Sequence, residues 1–262
     1  MAFFEVKDLS ILFGGLKALD NISFKVKKGE VYSIIGPNGA GKTTLFNCIN
    51  GIYKATSGQI LFKDKTITGK KPHQVAQAGI ARTFQNIELF DNLNTMENIM
   101  LGRHLYMKTG LFRGGFLWGK NSFAGKEEAV HRKKVEEIID LLDLQSSREK
   151  LVGGLPYGIR KQVELARALA VEPELLLLDE PCAGMNSEEK QDMIFWVKDI
   201  QDELGITILL IEHDMNMVMD ISDRILAINF GQTITEGDPE SVRKHPEVLK
   251  AYLGEDDGEC TA

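Results

Sequence analysis

Cysteine is scarce in this sequence: three of its 262 residues are cysteines, which is too few for a disulfide framework. Cys48, Cys182 and Cys260 lie far apart and lack the Cys-x-x-Cys spacing of a zinc site, so we expect a reducing compartment. The sequence also lacks a run of about 18 apolar residues. Its first residues contain no apolar signal-peptide segment. We therefore expect neither a secreted disulfide protein nor a membrane-spanning channel.

Excess positive charge is absent as well. The formal net charge is -7 and the pI is about 5.4, which argues against electrostatic binding to a nucleic-acid backbone. Hydrophobic residues make up 43% and charged residues 26%, close to the averages of globular proteins, which argues against a disordered chain or a coiled coil. A chain of this length is expected to form one large domain, or one domain plus a subdomain.

Short apolar runs alternate with segments of helical periodicity in much of the sequence. The runs at 31–35, 175–178 and 206–211 are predicted strands, and 158–170 and 187–203 are predicted helices. Apolar strands in such alternation are typical of a parallel sheet covered by helices on both faces. The predicted fold class is therefore α/β.

Two glycine-containing links predict hairpins. The link 27–29 would join the strands 22–26 and 31–35, because Gly29 can adopt positive φ. Gly231 would join the strands 225–229 and 233–235. Another β-rich run lies at 3–9 and a further strand at 59–62.

The middle of the sequence predicts a helical insertion. Residues 95–100 and 126–144 have helical character, and Val135, Ile138, Ile139 and Leu142 recur at the spacing of one helix face. We expect one domain over residues 1–254, with a helical subdomain at about 86–154 inserted in its α/β core. Residues 255–262 are expected to form a mobile acidic tail.

A glycine-rich loop follows the strand 31–35 and precedes a predicted helix at 44–50. The loop reads Gly36-Pro37-Asn38-Gly39-Ala40-Gly41-Lys42-Thr43. It matches the G-x-x-x-x-G-K-[ST] pattern, in which backbone N–H groups and a helix N-terminus bind phosphates. Lys42 is predicted to reach the β- and γ-phosphates of ATP, and the Thr43 hydroxyl to bind Mg²⁺. The predicted cofactor-binding residues here are Gly36, Asn38, Gly39, Ala40, Gly41, Lys42, Thr43 and Thr44.

Four leucines at 175–178 end in two acidic residues, Asp179 and Glu180. Ligands of α/β sheets bind beyond the carboxyl ends of the strands, so both acids are expected beside the phosphate loop. Asp179 is predicted to hold Mg²⁺. Glu180 is predicted to be the general base that activates the attacking water.

The order of these motifs resembles that of ABC-type ATPases over essentially the whole chain. The motifs are the phosphate loop, Gln85 within Arg82-Thr83-Phe84-Gln85, the helix start at 155–162, Leu-Leu-Leu-Leu-Asp-Glu-Pro at 175–181, and Ile211-Glu212-His213-Asp214. The resemblance implies a P-loop NTPase core with a parallel sheet, an N-terminal antiparallel β subdomain and an inserted α-helical subdomain. It also implies that the chain hydrolyses ATP with Mg²⁺.

Three further site residues are implied by this resemblance. Gln85 would take part in catalysis and Mg²⁺ binding and would couple nucleotide to the membrane partner. His213 would contact the γ-phosphate, and Phe13 would stack on adenine. Taken alone, Gln85 has the character of a surface polar residue, Phe13 that of a core residue, and His213 that of a residue beside an Asp214 helix cap.

The segment 155–162, Leu-Pro-Tyr-Gly-Ile-Arg-Lys-Gln, occupies the place of the family's Leu-Ser-Gly-Gly-Gln signature. Tyr157 and Gly158 would bind the γ-phosphate held by a second subunit, so that two chains enclose two ATP molecules head to tail. Pro156 departs from the consensus because it lacks both a hydroxyl and an N–H group, and Ile159 replaces the glutamine. Cys182 is expected to be structural, since the sequence provides no histidine partner for it.

The Leu-Pro-Tyr-Gly form resembles one branch, the ATP-binding subunits of branched-chain amino acid importers. The segments 11–19, 82–86, 109–112 and 246–254 are similar to that branch as well. The resemblance implies a peripheral subunit on the cytoplasmic face of the inner or plasma membrane. Its partners would be two permeases, a second related ATPase subunit or a second copy of itself, and, indirectly, a periplasmic or extracellular substrate-binding protein, but no nucleic acid. The apolar and basic segment 111–120 is expected either to dock near the membrane or to pack on its own subdomain.

Other functions remain open at this point. One alternative is the ATPase subunit of another ABC importer or of a lipid exporter. Another is a soluble ABC-type ATPase that acts on ribosomes or DNA. A P-loop kinase that phosphorylates a small metabolite is a further alternative, although it would leave the signature helix and His213 without a role.

Overall fold

The structure, a computed structural model, describes residues 2–107 and 123–256. The strands in chain order are β1 (Phe4–Phe13), β2 (Leu16–Val26), β3 (Val31–Ile35), β4 (Ser57–Phe62), β5 (Lys65–Thr66), β6 (Ile80–Arg82), β7 (Leu175–Asp179), β8 (Thr207–Ile211), β9 (Arg224–Asn229) and β10 (Gln232–Gly237). The helices are α1 (Lys42–Ile49), α2 (Pro72–Gln77), α3 (Thr95–Gly102), α4 (Phe123–Leu141), α5 (Tyr157–Leu169), α6 (Ser187–Leu204), α7 (Met215–Ile221), α8 (Pro239–Arg243) and α9 (Pro246–Asp256). Short 3₁₀ helices lie at Arg103–Leu105, Gln145–Ser147 and Val152–Gly154.

The chain forms two compact units. The first unit contains the residues up to Arg82 and from Glu174 onward, and the second unit contains residues 83–173. The second unit includes the region 86–154 that the sequence predicts as an insertion, and it extends to the end of α5 and beyond.

A six-stranded sheet is the centre of the first unit. Its strand order is β10-β9-β3-β8-β7-β6, and all neighbours are parallel except the β9–β10 pair. Every residue of β3, β7 and β8 is buried, as expected for strands covered on both faces. The predicted parallel sheet is thus confirmed. The predicted hairpin at Gly231 is also present: Phe230 and Gly231 both have positive φ, as a two-residue turn of this kind requires.

A second, antiparallel sheet in the first unit has the order β2-β1-β4-β5. The prediction of a hairpin at 27–29 is wrong, because β2 belongs to this sheet whereas β3 belongs to the six-stranded one. Gly29 does make a turn, with φ of 72°, but β3 is parallel to β8 on one side and to β9 on the other. Both hydrogen-bonding edges of β3 are therefore occupied, and β2 pairs with β1 instead.

The described residues of the second unit form helices and the segments that join them. Asn94 caps α3 and forms a reciprocal capping box with Glu97. Val135 and Ile139 of α4 are buried, in agreement with the predicted apolar face. α4 ends at Leu141 and not at residue 144, since Asp143 takes a positive φ of 52°.

Several elements were not predicted, among them α2 and α8, which are too short for periodicity to identify. α9 continues through residues 255 and 256, where the acidic tail was expected to begin, and residues 257–262 lie outside the described residues. The segment 111–120 also lies outside them. Among the described residues, no helix is both long enough and apolar enough to cross a membrane.

Candidate nucleotide-binding and hydrolysis site

The loop at 36–43 joins the carboxyl end of β3 to the first turn of α1. Two of its glycines fill places that no larger residue fits. A Cβ on Gly36 would lie 2.1 Å from the carbonyl oxygen of Ile228, and a Cβ on Gly41 would lie 2.7 Å from that of Ala18. Gly41 also has φ of 105°, which favours glycine. The loop therefore passes in close contact with neighbouring backbone and directs the chain into a helix N-terminus.

Lys42 is the first residue of α1, and its side chain is buried against the loop. Its ammonium group donates to the carbonyl oxygens of Gly36 at 2.5 Å and Pro37 at 3.0 Å. Thr43 is exposed and Thr44 is half-buried, while Asn38 and Gly39 are exposed and Ala40 is buried. The loop thus combines a fixed cation, an exposed hydroxyl and the N-terminus of a helix, which suits a polyphosphate.

The carboxyl ends of β3, β8 and β7 lie side by side in the central sheet. In the parallel register Ile34 pairs with Ile211, and Ile211 pairs with Asp179. This arrangement brings the phosphate loop, His213 and the two acids at 179 and 180 to the same edge of the sheet. The sequence predicted this convergence.

Asp179 is the last residue of β7, and only 1% of its side chain is exposed. The guanidinium group of Arg82, itself buried at the end of β6, donates to Asp179 Oδ2 at 2.6 Å and to Asn47 Oδ1 at 2.7 Å. The two acceptors belong to β7 and to the phosphate-loop helix α1. Neither Arg82 nor Asn47 was assigned a role from the sequence. An arginine directly before the Thr-Phe-Gln segment was the only available signal.

Glu180 lies one residue beyond β7 in a strained backbone conformation, with φ of 48°. Its N–H donates to the carbonyl oxygen of Ile211 at 2.9 Å, which holds it against the end of β8. The Glu180 Oε2 atom lies 3.9 Å from His213 Nδ1, and 58% of the His213 side chain is exposed. Asp214 caps α7, as expected, through N–H groups of Asn216 and Met217. The carboxylate and the imidazole thus face the same space.

Glu212 was not singled out by the sequence, yet it connects the two segments that carry Glu180 and His213. Its buried carboxylate accepts from the N–H of Cys182 at 2.9 Å and from the N–H of His213 at 3.1 Å. Burial raises the pKa of Glu212, and these backbone donors oppose that rise in pKa. Cys182, expected to be structural, is buried beside it.

Phe13 ends β1, and 44% of it is exposed, so it is not the core residue that its type alone would indicate. Its ring packs edge-on against that of Tyr53, with centroids 5.2 Å apart. Two adjacent aromatic side chains therefore present a partly exposed surface. The sequence did not indicate Tyr53.

Gln85, Tyr157 and Gly158 all belong to the second unit. Gln85 is exposed, and its backbone carbonyl accepts from Lys161 Nζ at 2.9 Å. Tyr157 is the first residue of α5 and is exposed, whereas Gly158 is buried. Pro156 stands at the cap position, and its side chain accepts no hydrogen bond from the first N–H groups of α5.

Comparison with known proteins agrees with this arrangement. A family model described as "ABC transporter" matches residues 19–183, and one described as "Branched-chain amino acid ATP-binding cassette transporter" matches residues 232–258. The Escherichia coli protein LivG, a high-affinity branched-chain amino acid transport ATP-binding protein, is 40% identical over 96% of this chain and 97% of its own length. The Pseudomonas aeruginosa protein BraF, which has the same description, is 39% identical over 96% of this chain and 97% of its own length.

Solved structures give the same result. The ADP conformation of MJ1267, an ATP-binding cassette of an ABC transporter, has a TM-score of 0.84 and 33% identity, and the match covers 97% of this chain and 99% of that one. The resemblance deduced from the motifs and the fold class it implied are both confirmed. The chain belongs to the ABC transporter family and, within it, to the branched-chain amino acid transport ATP-binding proteins.

Proposed function

We propose that this chain binds and hydrolyses ATP to drive an importer of branched-chain amino acids. One observation carries the proposal: the phosphate loop, Asp179, Glu180 and His213 converge at the carboxyl ends of three neighbouring parallel strands. The family membership supports the transport role, and the relatives' own substrate supports the choice of amino acid.

The loop at 36–43 would hold the phosphates. Its backbone N–H groups and the N-terminus of α1 would bind the β-phosphate, and Lys42 would bind the β- and γ-oxygens. For this the Lys42 ammonium would turn from the carbonyl groups that it now contacts to the incoming anion. Gly36, Asn38, Gly39, Ala40, Gly41, Thr43 and Thr44 would complete this set.

The residues fit a magnesium ion that is bound together with the nucleotide. Mg²⁺ in such sites is bound by one or two carboxylates and by substrate phosphates. Asp179 supplies such a carboxylate at the end of β7, and Thr43 supplies an exposed hydroxyl in the first turn of α1. Thr43, Asp179 and Gln85 would hold the ion, which when bound neutralises charge on the transferred phosphoryl group.

Glu180 would accept the proton of the attacking water, and its position after a strained turn would fix the direction of the carboxylate. His213, 3.9 Å from that carboxylate, would bind the γ-phosphate oxygen. General-base catalysis of this kind contributes about 10²–10⁴-fold. Phe13 would stack on the adenine, beside Tyr53.

Tyr157 and Gly158 would bind the γ-phosphate held by a second ATPase subunit, so that the complete site needs two chains. A solved relative, MJ0796, 25% identical to this chain with a TM-score of 0.74, is described as dimeric. We further propose that Gln85 and the second unit transmit closure of the dimer to two permeases at the cytoplasmic face of the membrane. The substrate-binding protein of the system would act indirectly, and the segment 111–120 would dock near the membrane.

Affinity capture of the Glu180→Gln chain from native membranes with ATP and Mg²⁺ tests the proposal. The variant should retain nucleotide and bring down two permeases and a second ATPase, whereas the Lys42→Ala chain should bring down less nucleotide. A deletion strain provides a second test. It should lose ATP-dependent uptake of leucine, isoleucine and valine, and the wild-type chain should restore that uptake. Recovery of the chain without any membrane partner, or stimulation of its ATPase by ribosomes or DNA, would overturn the importer role. Transfer of phosphate to a metabolite instead of water would indicate a kinase.

A further inference from the structure

Helix α9 reaches the phosphate loop through a hydrogen bond of Tyr252. The N–H of Gly36, the first residue of the loop, donates to the hydroxyl oxygen of Tyr252 at 2.9 Å. Gly36 also lies close to β9, since a Cβ on it would be 2.1 Å from the carbonyl oxygen of Ile228. The peptide at the start of the loop is therefore held between β9 and α9.

The packing around this bond connects α9 with two parts of the site. Ile35, directly before Gly36, is fully buried in a cluster with Val218 of α7 and Val248 of α9, and Tyr252 packs against that cluster. α7 is the helix that begins after His213. α9 thus lies against both the strand that leads into the loop and the helix that follows the histidine. The family model that matches residues 232–258 covers all of α9.

We propose that Tyr252 is a positioning residue for the phosphate loop, and that α9 thereby sets the affinity of the site for the polyphosphate of ATP. The hydroxyl orients the first peptide of the loop, and a preorganised loop binds an anion without a further ordering cost. Tyr252 touches neither the water nor the γ-phosphate in this role, so it acts on binding and not on the chemical step. The inference rests on the proposed assignment of 36–43 as the phosphate site.

The test is Tyr252→Phe in the full-length chain, which removes only the hydroxyl. The dissociation constant of Mg-ATP by calorimetry and the KM for ATP should both rise about 3- to 10-fold, the range expected for one lost hydrogen bond, with kcat unchanged. The matched control is Tyr106→Phe. The Tyr106 hydroxyl donates to the carbonyl oxygen of Val171 at 2.6 Å in the second unit, so this variant loses the same kind of bond and should bind Mg-ATP normally.

Val248→Ala separates positioning from packing, since it weakens the cluster around α9 but leaves the hydroxyl in place. It should lower Tm without changing the dissociation constant. Equal affinities for Tyr252→Phe and Tyr106→Phe would overturn the proposal, as would a loss of affinity in Val248→Ala that matches that of Tyr252→Phe. Lys42→Ala tests the proposed phosphate site itself. If this variant bound Mg-ATP as the wild type does, the assignment of 36–43 would be wrong, and so would the role of Tyr252.

Discussion

Arg82 and Asp179 form a buried ion pair at the ends of two neighbouring parallel strands, with 2.6 Å between the guanidinium nitrogen and Oδ2. The same guanidinium group binds Asn47 of α1 and lies over the ring of Phe46, 5.6 Å from its centroid. The carboxylate proposed for Mg²⁺ is therefore oriented by the protein itself. The pair also connects α1 to β7, the strand directly before Glu180, which we propose as the general base.

Arg82→Ala should be strongly destabilising, because it removes the cation from a buried carboxylate. Breaking a buried pair in this way costs about 3–5 kcal/mol, and we expect a loss of this size in the free energy of unfolding, measured by urea denaturation. Asp179→Ala combined with Arg82→Ala should cost much less than the sum of the two single changes.

The surface pair of Lys63 and Glu174 provides the control for this prediction. Both side chains are exposed, and Lys63→Ala should cost about 1 kcal/mol or less. If Arg82→Ala were as mild as Lys63→Ala, the ion pair would not hold Asp179 in place.

The sequence predicted the elements of the site whose signals are local. The loop at 36–43 and the acids after 175–178 are each contained in one short segment, and the order of the strands then brings them together. Arg82, Asn47 and Glu212 were missed because their roles depend on which strands and helices become neighbours. The residues next to each of them in the sequence do not show which strands and helices will pack together.

The wrong hairpin at 27–29 has the same origin. A short link with glycine between two apolar strands has the local properties of a hairpin turn, and Gly29 does take positive φ. What decides against the hairpin is that β3 is buried on both faces and has parallel partners on both sides. Short helices such as α8 escaped prediction because five residues cannot reveal a helical period.

Glu212 should make the stability of the protein depend on pH. Burial raises the pKa of its carboxyl in the folded state above its ordinary value of 4.5. Stability from such a group is fully present below the unfolded pKa and is lost as the pH rises through the folded pKa. Glu212→Gln, which is neutral at every pH, should therefore gain stability relative to the wild type as the pH is raised above 4.5.

Chemical denaturation of both proteins at a series of pH values measures this difference. Glu240→Gln is the control, because Glu240 is exposed and pairs with Lys244 at the surface, and its difference from the wild type should be small across the series. A constant difference for Glu212→Gln as well would mean that burial does not perturb this carboxyl.

Glu164 and Lys161 of α5 hold the backbone that carries Gln85. The Glu164 carboxylate accepts from the N–H of Phe84 at 3.1 Å, and Lys161 donates to the carbonyl oxygens of Phe84 and Gln85. Glu164→Ala should release this segment, and the amide of Phe84 should exchange with deuterium about 10-fold faster, as expected for one lost buried hydrogen bond. Mass spectrometry of the peptide around residue 85 measures the exchange.

Glu136→Ala is the matched control in the same unit, since Glu136 pairs with Arg148 at the surface. It should leave exchange at Phe84 unchanged. Equal exchange in Glu164→Ala and in the wild type would show that the Gln85 segment is held by other contacts.

Gly36 and Gly39 should respond differently to the same added methyl group. A Cβ on Gly39, where φ is 78°, meets nothing within 4 Å, so Gly39→Ala should cost only the strain of a left-handed residue, about 1–2 kcal/mol. A Cβ on Gly36 would lie 2.1 Å from a backbone oxygen of Ile228, which cannot move without distorting β9. Gly36→Ala should therefore lower Tm further than Gly39→Ala, in thermal unfolding followed with and without Mg-ATP. Gly36→Ala should also displace the amide that donates to Tyr252 and so weaken the stabilisation that Mg-ATP provides. Equal Tm values for the two variants would contradict the close contact between Gly36 and β9.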